Sequence, residues 1–233
     1  SPTGSAAAEL DWQPPPANRL IQNSLILYRH NPRGLEYQLR VGYQRRLYDH
    51  ESRALRDNFA FIGLAPKINP AYVKIGPSIE LQPLSILNLR MTAEYLSYFS
   101  TFGYLQSFPS PHSVYSDTAL EAGTAAKANY RTTGTHFLVE PMAQIKLGKI
   151  ALRNRFSLER WKMNVRAGDS VFYDATLDTL VPADGWVLAN DFDALYVTGT
   201  GLVLGLRHAA VRAIYEAGAF QPGEAARNDN GHH

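Results

Sequence analysis

The chain has 233 residues, 45% of them hydrophobic and 19% charged, with a net charge of +2 and a mean hydropathy of −0.24. That balance supplies no basic excess for nucleic acid, and no apolar run approaches the roughly 18 to 20 residues that a membrane-spanning helix needs. With no cysteine in the chain, disulfides, thiolate metal sites and cysteine nucleophiles are excluded.

Residues 1–18, closing on Trp12-Gln13-Pro14-Pro15-Pro16-Ala17-Asn18, are rich in Pro, Ala and Ser and read as a flexible or extended leader that buries no core. From Arg19 onward the dominant period is two. Tyr37, Leu39, Val41, Tyr43 and Leu47 alternate with Glu36, Gln38, Arg40, Gln44 and Arg46. Between Tyr72 and Gln82, Val73, Ile75, Ile79 and Leu81 take one face, and Lys74, Gly76, Ser78, Glu80 and Gln82 take the other. Beyond a turn expected at Pro83-Leu84, Leu87, Leu89, Met91, Ala93 and Tyr95 oppose Asn88, Arg90, Thr92 and Glu94. A second hairpin runs from Thr135 to Met163 about Gly148-Lys149, a two-residue turn whose glycine suits strands of normal twist. Strand glycines such as Gly63 and Gly76 mark bends or close approach of a neighbour.

The alternation predicts nine strands, at 19–30, 35–48, 56–66, 71–82, 85–99, 134–147, 150–163, 186–197 and 200–215. Several are longer than the usual 5 or 6 residues of a globular sheet. Their connections sort into two ends. One end has Pro83-Leu84, Gly148-Lys149, Thr198-Gly199 and a medium link at 49–55; the other has 31–34, 67–70 and the long stretches 100–133 and 164–185. Alternating faces, long strands, short turns at one end and long loops at the other predict an all-β protein, an antiparallel up-and-down transmembrane β-barrel of about 10 strands, within a range of 8 to 12.

At Pro66-Lys67-Ile68-Asn69-Pro70, at Gly76-Pro77-Ser78-Ile79-Glu80-Leu81-Gln82-Pro83 and at Trp186-Val187-Leu188-Ala189-Asn190-Asp191 the chain resembles the outer-membrane β-barrel proteins of Gram-negative bacteria. The resemblance is one of grammar and covers most of residues 19–215. It implies a leader at 1–18 in the periplasm, a barrel at 19–216, and a polar tail or extracellular loop at 217–233. It also implies a bacterial outer-membrane location among membrane lipid and lipopolysaccharide, and a porin-like passive pore or a structural role. Members of the family end in a strand with a terminal aromatic residue, whereas this chain ends His232-His233. An even strand count then calls for a further strand, either at 120–131 or as a closing strand outside those nine. The first option reverses the sidedness of every later turn, so the second is expected.

Eleven charged positions fall on the polar faces and are expected to line the interior: Arg40, Lys74, Glu80, Arg90, Glu94, Glu140, Arg153, Arg155, Glu159, Asp191 and Asp193. Buried charges must be paired, so the expectation is a network that fills a narrow lumen. The functional counterpart is a small conduit in which Arg153, Arg155 and Lys146 make an anion-attracting stripe. Asp191 and Asp193 come closest to a catalytic acid pair, but they sit opposite an outward face of Trp186, Leu188, Phe192 and Tyr196 and are expected to meet Arg155 or Arg207. The histidines are scattered without metal-ligand spacing, and His112 with Ser113 lacks an orienting acid. Tyr43, Tyr95, Tyr98, Phe99, Phe156, Trp161, Trp186 and Tyr196 read as rings at a membrane–water boundary. The expectation is a non-enzyme without cofactor or metal. An embedded hydrolase acting on lipid or peptide at the extracellular rim, and a soluble ligand-binding β-barrel, are the alternatives.

Overall fold

The computed structural model describes residues 16–29, 34–52, 54–197 and 203–214, the last stretch by its backbone. Most of the expected leader, the 31–33 connection, the Thr198-Gly199 turn and the 217–233 tail lie outside the described residues. β1 (Asn18–Arg29) pairs antiparallel with β2 (Gly34–Arg45). β3 (Phe59–Leu64) and β4 (Lys67–Asn69) form one pass broken at Ala65-Pro66, and β5 (Tyr72–Ile75) and β6 (Pro77–Leu84) form the return pass broken at Gly76. β7 (Leu87–Phe99) follows. After it, β8 (Ser107–Phe108) and α1 (Asp117–Ala125) occupy the first long connection. β9 (Arg131–Leu147) and β10 (Ile150–Met163) make the next hairpin, and β11 (Val171–Asp174) and β12 (Thr179–Pro182) occupy the second long connection. β13 (Asp184–Val197) and β14 (Val203–Ile214) complete the order.

Eleven strands share one antiparallel sheet, and because β3–β4 and β5–β6 are interrupted single passes they trace nine passes at the predicted places. The all-β antiparallel expectation therefore stands. β1 and β14 are the two edges, not paired with each other in the described residues, and after nine alternating passes they run in the same direction.

Two local readings are corrected. Pro83-Leu84 is not a turn: β6 continues to Leu84 through a register shift, and the chain reverses at Ser85-Ile86. The displaced turn is held from outside, by Ser85 N donating to Ala54 O and by the Tyr48 hydroxyl donating to Pro83 O. As expected, the segment 120–131 supplies no additional strand, since it holds most of a helix and the first residue of β9. Ser116 caps a helix there by accepting from Ala119 N, and Asp117 favours its first turn. The long stretches 100–133 and 164–185 are not plain loops either, since β8, β11 and β12 pair into a small sheet that joins α1 in a folded cap.

The glycines act as expected. A Cβ on Gly76 would lie 1.7 Å from Ala93 O, and Gly42 and Gly63 face each other beneath the Phe61 ring, with no room for a methyl group on either. Gly148 sits in its turn at φ +59° with open space around it.

The sheet has two unlike faces. Ile62, Ile68, Ile75, Ile79, Tyr95, Phe137, Ile145, Leu147 and Ile150 on the outer face are all 40% exposed or more. The inner face buries Gln44, Lys74, Ser78, Glu80, Asn88, Thr92, Glu94, His136, Ser157 and Glu159. Glu80, Asn88 and Gln44 are buried far from the cap, so the sheet itself curls round them. Among the described residues the apolar core lies at the cap end, where Leu105, Phe172 and Val181 of the cap pack on Tyr72, Leu96, Tyr98, Trp161, Met163 and Val187 of the wall. Trp161 and Tyr98, expected at an outer boundary, are 1% and 3% exposed inside this core. Both lie on the inner parity of their strands, which aromatic content alone does not reveal.

Gly76→Ala is expected to destabilise the chain by about 2 kcal/mol, because backbone has to move, and Gly148→Ala by roughly 1 kcal/mol, the cost of a left-handed alanine. Denaturant midpoints of the two variants test the order, and equal midpoints would contradict the close approach at Gly76.

Candidate functional site

The inner face is built in two charged tiers. The lower one is a belt of alternating sign. Arg40 on β2 reaches over the Phe61 ring of β3, 3.7 Å from its centroid, to pair with Glu80 of β6 at 2.7 Å. Glu80 faces Arg90 of β7 at 3.7 Å, Arg90 faces Glu140 of β9 at 3.5 Å, and Glu140 faces Arg155 of β10 at 3.8 Å. Arg155 then meets Asp191 of β13 at 2.6 Å. Beside it Arg153 donates to Asp193 through Nε at 2.8 Å and through NH2 at 2.5 Å. Asn88 adds a donor to Glu80 at 2.7 Å. Register explains the belt: Glu80 lies opposite Arg90, Arg90 opposite Glu140, Arg155 opposite Asp191 and Arg153 opposite Asp193.

The upper tier centres on His136 of β9, 5% exposed. Its Nδ1 lies 2.9 Å from Glu94 Oε2 and its Nε2 lies 3.0 Å from Glu159 Oε2. Each ring nitrogen thus lies within hydrogen-bond reach of a carboxylate oxygen. Lys67 pairs with the other oxygen of Glu94 at 2.8 Å. Trp161 stacks on the His136 ring at 3.9 Å between centroids and donates its Nε1–H to Glu159 at 3.1 Å. Ser157 donates to Glu159 Oε1 at 3.2 Å.

Above this tier, Lys74 connects wall to cap. Its Nζ lies 4.0 Å from Asp174 Oδ2 and about 5 Å from the centroids of the Tyr72 and Trp161 rings, at 5.1 and 5.2 Å. Asp174, 2% exposed, accepts with Oδ1 from Thr176 N at 2.8 Å and Leu177 N at 3.0 Å, which shapes the β11–β12 turn. In the cap, burial and the Asp178 carboxylate, which accepts from the phenol at 2.8 Å, push the Tyr173 hydroxyl well above its ordinary value.

All eleven sequence-predicted positions thus share one face; ten meet an opposite charge, and Glu159 meets His136, Ser157 and Trp161. The anion-attracting stripe is corrected, because Asp193 and Asp191 neutralise Arg153 and Arg155. Asp191 meets Arg155 as expected, whereas Arg207 lies in the stretch described by backbone alone. The histidine reading missed His136, and with it Lys67, Ser157, Trp161 and Asp174. Inward parity marked His136 as opposed to Phe137, but only pairing across β7, β9 and β10 puts two acids beside it.

Both nitrogens of His136 are taken by acids, and the Ser157 hydroxyl donates to Glu159. The Ser157 hydroxyl and the His136 ring thus do not form the serine–histidine pair that acyl transfer uses. Among the described residues no three His, Asp or Glu side chains converge as metal ligands. No family model, curated protein or solved structure matches this chain.

His136→Leu leaves Glu94 and Glu159 buried without their shared partner and is expected to cost about 3–5 kcal/mol. Ser157→Ala, which removes one hydrogen bond, is expected to cost about 1 kcal/mol. Equilibrium unfolding of both variants checks the ratio.

Proposed function

We propose that this chain is an integral outer-membrane β-barrel with a structural role, its interior filled by paired charge and sealed at the long-loop end by the cap. The observation that carries the reading is the inverted distribution of polarity. On β9 every outward residue from Phe137 through Val139, Pro141, Ala143 and Ile145 to Leu147 is apolar, while Glu140 and His136 face inward among other charges. Residues 137–147 span ten steps, about 34 Å along the strand, or about 26 Å across a membrane at a tilt of about 40°. That matches the roughly 25 Å apolar band of outer-membrane barrels. Asn154 and Asn190 interrupt the band on β10 and β13, with Phe156, Leu158, Leu188 and Phe192 around them.

A chain in plain water would leave this band as an exposed apolar surface far beyond what soluble monomers carry. Lipid removes that cost. Lipid also demands that every backbone group be paired, so the β1 and β14 edges need a partner. A tenth pass between them would pair antiparallel with both and return the chain to the short-turn side. Direct contact would instead be parallel.

The paired tiers and the cap favour a filled barrel over a free conduit. Trp161, Phe172 and Leu96 close the space above His136, each at most 1% exposed.

Ile79→Arg separates a membrane wall from a water-exposed one. Ile79 is 45% exposed and lies in the middle of the band. In a bilayer the substitution is expected to cost about 2–4 kcal/mol; at a wet surface it would stay within roughly 0.5 kcal/mol. Unfolding in lipid vesicles reads the difference, and a neutral effect would sink the membrane reading. In planar bilayers the intact chain is expected to give no conductance steps. Steady steps would replace the sealed barrel with an open pore.

A further inference from the structure

The cap covers the long-loop end of the inner face. At the short-turn end the same face holds a cavity of about 120 Å³, with Arg19, Gln44, Arg46, Arg56, Asp57 and Gln82 in its wall. Strand register puts them there. Arg19 of β1 lies opposite Gln44 of β2, Gln44 opposite Phe61 of β3, and Phe59 of β3 opposite Gln82 of β6. Residues directly opposite share a face, so these side chains continue the inner parity of Arg40 and Glu80 below the charged belt. The chain enters over the cavity at Pro16-Ala17, where Ala17 O accepts from Arg46 N at 2.7 Å.

Three side-chain amides line this cavity, and two of them are spent within the chain. Asn58 accepts with Oδ1 from Leu47 N at 2.9 Å and Tyr48 N at 3.0 Å, and donates with Nδ2 to Tyr48 O at 2.9 Å and Leu55 O at 2.7 Å. Gln82 donates to Asp57 O and accepts from Asn88 Nδ2 at 3.2 Å. Gln44 is the third. It is 6% exposed, and its side-chain amide has no hydrogen-bond partner among the described residues. A buried amide left without a partner costs free energy, and this one offers two N–H donors and a carbonyl acceptor. The charges of the wall are unbalanced as well. Arg46 pairs with Asp49 at 2.8 Å and Arg56 lies 3.6 Å from Asp57, whereas Arg19 pairs with no acid among the described residues.

We propose that this cavity binds inorganic phosphate, with the Arg19 guanidinium and the Gln44 N–H groups donating to its oxygens and the Gln44 carbonyl accepting from its hydroxyl. Size sets the class of ligand: the space equals the share of roughly four molecules of liquid water, which suits one tetrahedral oxyanion and excludes a sugar or a nucleotide. Charge sets the sign, since a guanidinium beside amide donors favours an anionic oxygen. The Gln44 carbonyl then separates phosphate from sulfate. Near neutral pH phosphate keeps a hydroxyl that donates to this carbonyl, whereas sulfate has only acceptors and sets a negative oxygen against it. A phosphate monoester carries the same oxygens, but its ester group has to pass the rim at Pro16-Ala17. The site lies on the inner face, so it stands whether lipid or water surrounds the outer one.

The test is equilibrium dialysis of radiolabelled inorganic phosphate against the full chain folded in non-ionic detergent, with unlabelled phosphate, sulfate and glycerol phosphate as competitors. The intact chain is expected to hold one phosphate, and sulfate is expected to compete at least about tenfold more weakly than phosphate, the size of one hydrogen bond to a charged group. Arg19→Gln is expected to weaken phosphate binding by at least about tenfold, the loss of one charge-assisted contact. Gln44→Leu is expected to bring sulfate and phosphate level, and Gln44→Met reads the same change if that variant does not fold. Lys149→Gln, in a turn at the same end but outside the cavity, is expected to leave binding unchanged. Absence of bound phosphate, full binding by Arg19→Gln, sulfate competing equally on the intact chain, or an equal loss from Lys149→Gln would each overturn the proposal. Stronger competition from glycerol phosphate than from inorganic phosphate would overturn it in favour of an ester.

Discussion

An ionised side chain withdrawn from water needs an opposite charge within hydrogen-bond reach, and the inner face of this sheet supplies one at every pass of the belt. Arg40, Glu80, Arg90, Glu140, Arg155 and Asp191 come from six different strands, and none has its partner on its own strand. The belt therefore ties strand order and register together. A slip of one residue anywhere would turn a whole set of charges to the outer face. In a protein with an apolar core, that discipline comes from packing. Here the described core lies at the cap end, and electrostatic pairing specifies the lower half of the interior.

The upper tier and the cap show the same rule in another form. His136 is useful to the fold because both nitrogens of its ring reach a carboxylate, so two acids on neighbouring strands share it. Trp161 covers that ring, and Phe172 of the cap meets Trp161 edge-on at 5.5 Å. Polar satisfaction below and apolar burial above thus meet in one residue. Lys74 and Asp174 continue the link into the cap, so the connections between β7 and β9 and between β10 and β13 are bound to the wall by both charge and packing.

The outer face obeys the opposite requirement, and the two faces together carry the functional reading. An apolar band of membrane thickness, a charged interior and a closed end are consistent with a wall that stands in lipid and passes nothing freely.

Much of this was legible in the chain itself. Strict alternation determined which residues share a face, because side chains in a strand point to opposite sides at every step, and that placed all nine passes and all eleven inner charges. Gly63 and Gly76 likewise announced close backbone contact. What alternation cannot express is which strand lies beside which at what height, so the pairing of His136 with Glu94 and Glu159, and of Arg153 with Asp193, emerged only from register. The cap was the larger surprise. Its short strands and single helix carry too little periodicity to be seen in 100–133 and 164–185, since they are held by contact with each other and with Trp161 rather than by their own pattern. The sequence by itself determined two faces of opposite polarity; only the tertiary structure decided that the charged face is closed over, because burial of Leu105, Phe172 and Val181 requires a surface that residues distant in the chain assemble.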